Sequence, residues 1–201
     1  MKHSLKILYL VPDLLAKPGG IARYCQMVCL ALQDTKITLQ VDVLLDSKLN
    51  KPRARVAFPN ISYFPCEGSY SEYILNAFRL TMTYRPDIIL VGHPHFSTLG
   101  WWLSSLTGGR LITFVYGIDI WEQLSRFRRF GVHKSQQILA ISKFTAHKAI
   151  GANRLDPNRI NILHNCLDPQ FSNNYQKRHH DNDLSMLTVA RLVEGYKGHV
   201  N

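Results

Sequence analysis

Four short segments of this sequence combine residue types and spacings that can do chemistry. Pro18-Gly19-Gly20 sets two glycines directly before a helical apolar pattern. Backbone amides at such a turn can approach a ligand closely, and a helix N-terminus favours phosphate or a sugar oxygen. The same pair also suits a turn that merely needs glycine. Gly92-His93-Pro94-His95 follows a fully apolar run. A histidine there can hydrogen-bond a hydroxyl or exchange a proton near neutral pH, or it can be a half-buried structural side chain. In Tyr116-Gly117-Ile118-Asp119 the carboxylate can accept from hydroxyl groups or cap a helix. Finally, Val189-Ala190-Arg191-Leu192 with Tyr196-Lys197-Gly198-His199 offers two cations suited to a diphosphate. The alternative for Arg191 and Lys197 is an exposed basic loop.

Other groups carry less. Asp181-Asn182-Asp183 has the D-x-D form of a metal site, but it lies in a polar tract before a strand rather than after one, as solvated linkers do. Asp87 reads as a strand-entry residue. Cys25 and Cys29 stand one helical turn apart and read as small buried apolar residues. Without a second pair at ligand spacing they do not form a zinc site, and no C-x-x-C occurs. No metal and no cofactor is expected, and a reducing compartment is.

The elements that must position these residues alternate in kind. Strand patterns cover Leu5–Val11, Ile37–Leu45, Ile61–Phe64, Ile88–Val91, Leu111–Tyr116, Gln137–Ile141 and Arg159–Leu163. Helical patterns cover Ile21–Leu32, Ser69–Tyr84, Phe96–Leu106, a basic stretch Asp119–Phe130, and a helix capped by Ser142 and running to Ile150. Asp46–Pro59, polar and proline-bearing, reads as a loop. The alternation predicts an α/β fold: a Rossmann-like, doubly wound parallel sheet, with ligands beyond the carboxyl ends of its strands. Residues 1–167 form this domain, 168–183 a polar linker, and Leu184–Ala190 the first strand of a further domain occupying 184–201.

The composition fits a globular chain, with 46% hydrophobic and 19% charged residues among 201. The segment Ile88–Gly109 lacks Asp, Glu, Lys and Arg, but Gly92, Pro94, Ser97, Thr98, Ser104 and Ser105 break it up, so a strand, turn and helix fit better than a membrane span. The net charge of +10 favours an anionic partner. Nucleic acid is not expected, since only net charge speaks for it. The pairing of Phe127 and Phe130 with Arg126, Arg128, Arg129 and Lys134 suits peripheral contact with an anionic membrane, or else a solvated basic face.

Taken in order, these segments resemble the retaining glycosyltransferases of family 4. The resemblance is carried by Pro18-Gly19-Gly20-Ile21-Ala22-Arg23, Arg85-Pro86-Asp87-Ile88-Ile89 leading to His93, Tyr116-Gly117-Ile118-Asp119, Ala140-Ile141-Ser142-Lys143-Phe144-Thr145, Ile162-Leu163-His164-Asn165-Cys166-Leu167-Asp168, and the Arg191/Lys197 motif. It implies a GT-B fold whose N-terminal half mainly serves the acceptor, with metal-independent transfer from a nucleotide-sugar donor to a saccharide or lipid-linked acceptor. By the same resemblance, Gly19 and Gly20 approach the donor phosphates or the transferred sugar, and His93 touches that sugar. Arg191 and Lys197 hold the diphosphate, and Asn165 lies near the hinge. His93 and Asp119 are the expected catalytic residues, with Tyr116 among the substrate-binding ones. The sequence departs from the pattern at Tyr116, where His is usual, and at Cys166, where Gly is usual. The family's Glu-x7-Glu motif would fall beyond Asn201, so the chain is expected to be a fragment or a truncated product, inactive alone. The alternative reading is a non-catalytic glycan-binding module or an inactive remnant. A dehydrogenase fits less well, lacking G-x-G-x-x-G. The expected location is cytoplasmic, peripheral to the inner face of the membrane.

Overall fold

Five consecutive buried residues, Ile7–Val11, make strand β1 (Leu5–Val11) the centre of the fold. Its side chains alternate between two apolar layers, as the pleat demands. Ile7, Tyr9 and Val11 pack with Tyr24, Cys25 and Cys29 of helix α1 (Gly20–Gln33). Leu8 and Leu10 pack on the other face with Tyr73 and Ala77 of α3 (Tyr70–Tyr84) and Leu103 of α4 (Ser97–Thr107). Fully burying each such aliphatic side chain contributes about 1.5–3 kcal/mol, so a strand covered on both faces anchors the sheet.

The computed structural model describes residues 4–33 and 35–166. These contain seven parallel strands in the order β3-β2-β1-β4-β5-β6-β7, with β2 at Ile37–Val43, β3 at Ile61–Pro65, β4 at Ile88–Val91, β5 at Arg110–Val115, β6 at Gln137–Ala140 and β7 at Ile160–Ile162. Tyr9 is in register with Val41 on one side and Leu90 on the other. The strand order therefore reverses at β1 and β4, which makes the gap beyond their carboxyl ends the switch point at which such sheets bind ligands. The expected doubly wound α/β architecture is what the described residues form. The linker expected at 168–183 and the strand at Leu184–Ala190 lie outside them.

Local boundaries follow local chemistry. The Ser69 hydroxyl accepts from Glu72 N–H and starts α3, and Arg85 ends it in the left-handed region (φ 47°) before Pro86. Asp87 accepts from Lys6 N–H at 2.8 Å, so it ties β4 to β1 at the strand entry. Gly108 closes α4 with φ 72°.

Two expectations are corrected. The supposed loop Asp46–Pro59 contains a 3-10 turn, Lys48–Asn50, and helix α2, Lys51–Ala57. Pro52 stands in the first turn of α2, where no backbone donor is lost, so it starts a helix instead of forbidding one. The supposed single helix Asp119–Phe130 is two: α5 (Ile118–Trp121) and α6 (Arg126–Lys134). Asn153, at the end of α7 (Lys143–Asn153), causes the break. Its amide donates to the carbonyls of Ile120 and Glu122 at 3.0 and 3.1 Å and accepts from Leu124 N–H at 2.8 Å. A buried side chain from a distant helix thus takes up the backbone groups that a continuous helix would have paired.

Candidate functional site

The segment after β1 is held from below by a carboxylate. Asp46, just past β2, is fully buried. Its Oδ1 accepts from the N–H groups of Leu14, Leu15 and Ala16 at 3.0–3.1 Å, its Oδ2 from Leu15 N–H at 2.8 Å and from the Tyr63 hydroxyl at 2.6 Å. Asp13 adds an acceptor for Ala16 N–H at 3.0 Å, and burial pushes the Asp13 carboxyl upward, with Asp46 adding to the shift. The loop thereby delivers Gly19 and Gly20 to the start of α1, where Gly19 O accepts from Arg23 N–H at 2.9 Å. Gly20 is exposed, and a methyl group built on it would meet nothing within 4 Å. Packing within the described residues does not require glycine there.

The segment after β4 begins with Gly92, which packing does require. A side chain on it would strike Val11 at 2.9 Å and Tyr9 at 3.1 Å. This close approach seats His93 against the end of β1. The half-buried His93 accepts at Nδ1 from the backbone N–H of His95 at 3.2 Å. A backbone N–H can only donate, so the neutral ring carries its proton on Nε2. Burial pushes the pKa of His93 down. Asp119 opposes the shift, while His95 and Arg128 add to it. Among the described residues nothing accepts from Nε2–H, which leaves a neutral donor available at the switch point.

The third segment turns inward. The Tyr116 ring is 9% exposed and packs edge-on to Tyr24 at 5.3 Å, with its hydroxyl 3.8 Å from Cys25 Sγ. The Asp119 carboxylate accepts from Tyr116 N–H at 3.1 Å and from Gly117 N–H. It is therefore committed to its own turn, and it reaches His93 through its field. Ser142 caps α7, accepting from Thr145 N–H at 3.1 Å, and Thr145 Oγ1 donates to Tyr116 O at 3.3 Å. Past β7, Leu163 O accepts from the Tyr24 hydroxyl at 3.2 Å, and Asn165 is exposed. Arg191, Lys197 and the Asp181-Asn182-Asp183 motif lie outside the described residues.

The fold brings Gly19, Gly20, His93 and the Tyr116–Asp119 turn to one edge of the sheet, but it puts the Tyr116 side chain in the core. Two residues there escaped the sequence reading. Asp46 opens a polar stretch that reads as a loop, although it follows a strand, as the other site residues do. Arg128 reads from the sequence as part of a membrane-contacting or solvated basic face, yet its charge adds to the downward pKa shift of both His93 and His95. Among the described residues no group of three His, Cys, Asp or Glu side chains could hold a metal ion, and no helix is long and apolar enough to cross a membrane.

Solved structures share this architecture. The chain is similar to Anabaena HepE in complex with UDP and glucose (TM-score 0.61, 17% identity, 82% of this chain and 45% of that one). It is similar to a glycosyltransferase from Rickettsia africae (TM-score 0.58, 14% identity, 81% and 43%). It is also similar to a UDP-GlcNAc 2-epimerase from Neisseria meningitidis bound to UDP-GlcNAc (TM-score 0.55, 16% identity, 79% and 45%). At these identities the likeness speaks for the fold alone, and the chain spans less than half the length of each. None of the curated proteins matches it in sequence. The family model for Glycosyltransferase Family 4, however, matches residues 18–171, from the glycine turn past the last described strand, and the chain belongs to that family.

Proposed function

We propose that this domain forms the acceptor side of a glycosyltransferase. The enzyme moves a sugar from a nucleotide-diphosphate donor to a saccharide or lipid-linked acceptor, with retention of configuration and without a bound metal or cofactor. The observation that supports it best is the neutral His93 at the switch point, its Nε2–H unclaimed by the described residues, beside the open Gly20 turn at the start of α1. A neutral imidazole can donate to a sugar hydroxyl without adding charge, and helix-start amides suit the negative charge that develops on a leaving diphosphate. Arg191 and Lys197 are assigned to that diphosphate, and Asn165 to the hinge. Asp119, tied to backbone amides, is assigned the positioning of the 116–119 turn and the tuning of His93. The reading places the enzyme in the cytoplasm, in peripheral contact with the inner face of the membrane.

The test is transfer by the protein that carries this domain, assayed against a panel of nucleotide sugars with and without chelator. The anomeric configuration of the product is read by NMR. Transfer with retention that survives chelation is expected, and His93→Ala lowers kcat by about 10²-fold, the usual loss for one positioned donor. Failure with every nucleotide sugar, by a protein that is demonstrably folded, overturns the reading.

A further inference from the structure

An apolar groove of about 430 Å³ runs beside the site, on the face of the sheet covered by α3 and α4. Ile74 and Phe78 of α3, Leu99 and Trp102 of α4, and Phe127 of α6 line it, together with His95, two residues from His93. The volume is within the usual range for small-molecule sites, and the lining is almost wholly hydrocarbon and aromatic. Phe127 is 67% exposed and Trp102 54%, an unusual outlay of aromatic surface on one face.

The walls are fixed by packing. A side chain on Gly131 would come within 2.2 Å of the Thr98 backbone nitrogen, so α6 lies backbone against backbone on the start of α4. The Thr98 hydroxyl donates to Phe127 O at 2.6 Å, and the Ser97 hydroxyl to Arg128 O at 3.1 Å. These bonds pin Phe127, at the groove's edge, and Arg128, whose charge acts on His95 in the lining. Helix α6 supplies Arg126, Arg128, Arg129 and Lys134 and contains no acidic residue. Among the described residues none of these four forms an ion pair.

We propose that this groove takes the apolar chain of a phosphate-headed lipid, the acceptor of the transfer reaction, with the phosphate held by Arg128 beside His95. The word acceptor rests on the transferase reading above; the binding chemistry does not. An apolar slot lined by His95, with the Arg128 charge acting on that histidine and no ion pair to Arg128 among the described residues, is complementary to an anionic amphiphile. A peptide would bring backbone groups that this lining cannot satisfy. A second copy of the chain would bring the same positive charge. Inserting into a bilayer calls for a protruding apolar face, whereas this one is a slot that suits a single chain.

The probe is dodecyl phosphate below its micelle concentration, titrated against the full chain and read by tryptophan fluorescence, with Trp102→Phe as the control for signal origin. Saturable binding is expected, about 10-fold tighter than that of dodecyl maltoside or inorganic phosphate, a difference of one decade in Kd. Ile74→Glu and Phe127→Ser, both at partly or well exposed positions whose change leaves the fold intact by circular dichroism, weaken binding about 10-fold. Arg128→Gln abolishes the preference for phosphate over maltoside. The proposal is overturned by the absence of saturable binding, by binding that neither groove variant changes, or by binding only to anionic vesicles. A shift in oligomeric state on Ile74→Glu also overturns it. In the transfer assay, Ile74→Glu raises KM for a lipid phosphate acceptor and spares kcat. Unchanged KM sinks the groove and leaves the transferase standing, whereas dodecyl phosphate binding without transfer from any nucleotide sugar sinks the transferase and leaves the groove standing.

Discussion

Leu15 donates its backbone N–H to both oxygens of Asp46, at 2.8 and 3.1 Å, across 31 positions of chain. That bond makes the glycine turn a built feature, because the segment leading to it hangs on a buried carboxylate at the end of a neighbouring strand. Removing the carboxylate takes the acceptor from the buried N–H of Leu14, the part-buried N–H of Leu15 and the part-buried Tyr63 hydroxyl. Asp46→Ala is expected to cost about 2–4 kcal/mol in denaturant unfolding, and Tyr63→Phe, which removes only one donor, about 1 kcal/mol. Equal losses in the two variants would show that Asp46 does not act through this network.

The His93 to His95 bond sets a pH dependence. Protonating His93 puts a hydrogen on Nδ1, against the N–H that it now accepts, so burial and this contact both hold the ring neutral. Its pKa is depressed below the ordinary 6.5. The unfolded state therefore binds more protons in this window, and the stability that His93 contributes is present above pH 6.5 and lost as pH falls through the folded value. His93→Gln should flatten the decline in melting temperature between pH 7 and pH 5 relative to the parent. An identical decline in both proteins would assign it elsewhere.

Asp42 makes the opposite prediction. It is buried on β2 with Oδ1 accepting from the Cys66 thiol at 3.3 Å and Oδ2 unpaired, and burial raises its pKa from 3.8 to about 8, with the thiol opposing and Glu72 adding. Here the folded state binds the extra proton, so stability falls as pH rises from the unfolded value toward 8, by up to about 1.4 kcal/mol per pH unit. Asp42→Asn keeps the Oδ1 acceptor and cannot ionise. Urea midpoints compared at pH 6 and pH 9 should fall in the parent and hold in the variant.

Two glycines separate packing from ligand approach. Gly131→Ala drives a methyl group into the α4 backbone and should destabilise by about 3 kcal/mol or prevent folding, since backbone cannot step aside as a side chain can. Gly20→Ala meets nothing within 4 Å, so its melting temperature should match the parent or rise slightly. On the proposed assignment of this turn to the donor, however, kcat/KM for the nucleotide sugar in the transfer assay should fall about 10-fold or more, because the methyl would take up space that the donor needs. Unimpaired transfer by Gly20→Ala would mean that the turn does not meet the donor.

Much of the architecture was legible because it is local. Apolar runs such as Leu5–Val11 and Ile88–Val91 have no solvent-facing side, which already demands a sheet covered on both faces, and Ser69, Ser142 and Gly108 punctuate the helices as their chemistry requires. The carboxyl-end rule points to Gly19, Gly20, His93 and Asp119 from the strand pattern alone. Helix α2 is hidden in the sequence because a polar, proline-bearing stretch has the composition of a loop, whereas Pro52 in the first turn costs no hydrogen bond.

By itself, then, the sequence determined the alternating α/β order, the family and the strand ends where chemistry would gather, because periodicity, capping and turn residues act over a few positions. Only the tertiary structure decided that Asn153 divides the 119–130 stretch, that Tyr116 faces the core and that Asp119 is spent on its own turn. It alone decided that Asp46 carries the glycine loop and that α3, α4 and α6 enclose a groove next to His95. Each of these depends on which distant groups are brought within about 3–4 Å, the range over which hydrogen bonds form and side chains touch. No local pattern encodes that distance until the chain has packed.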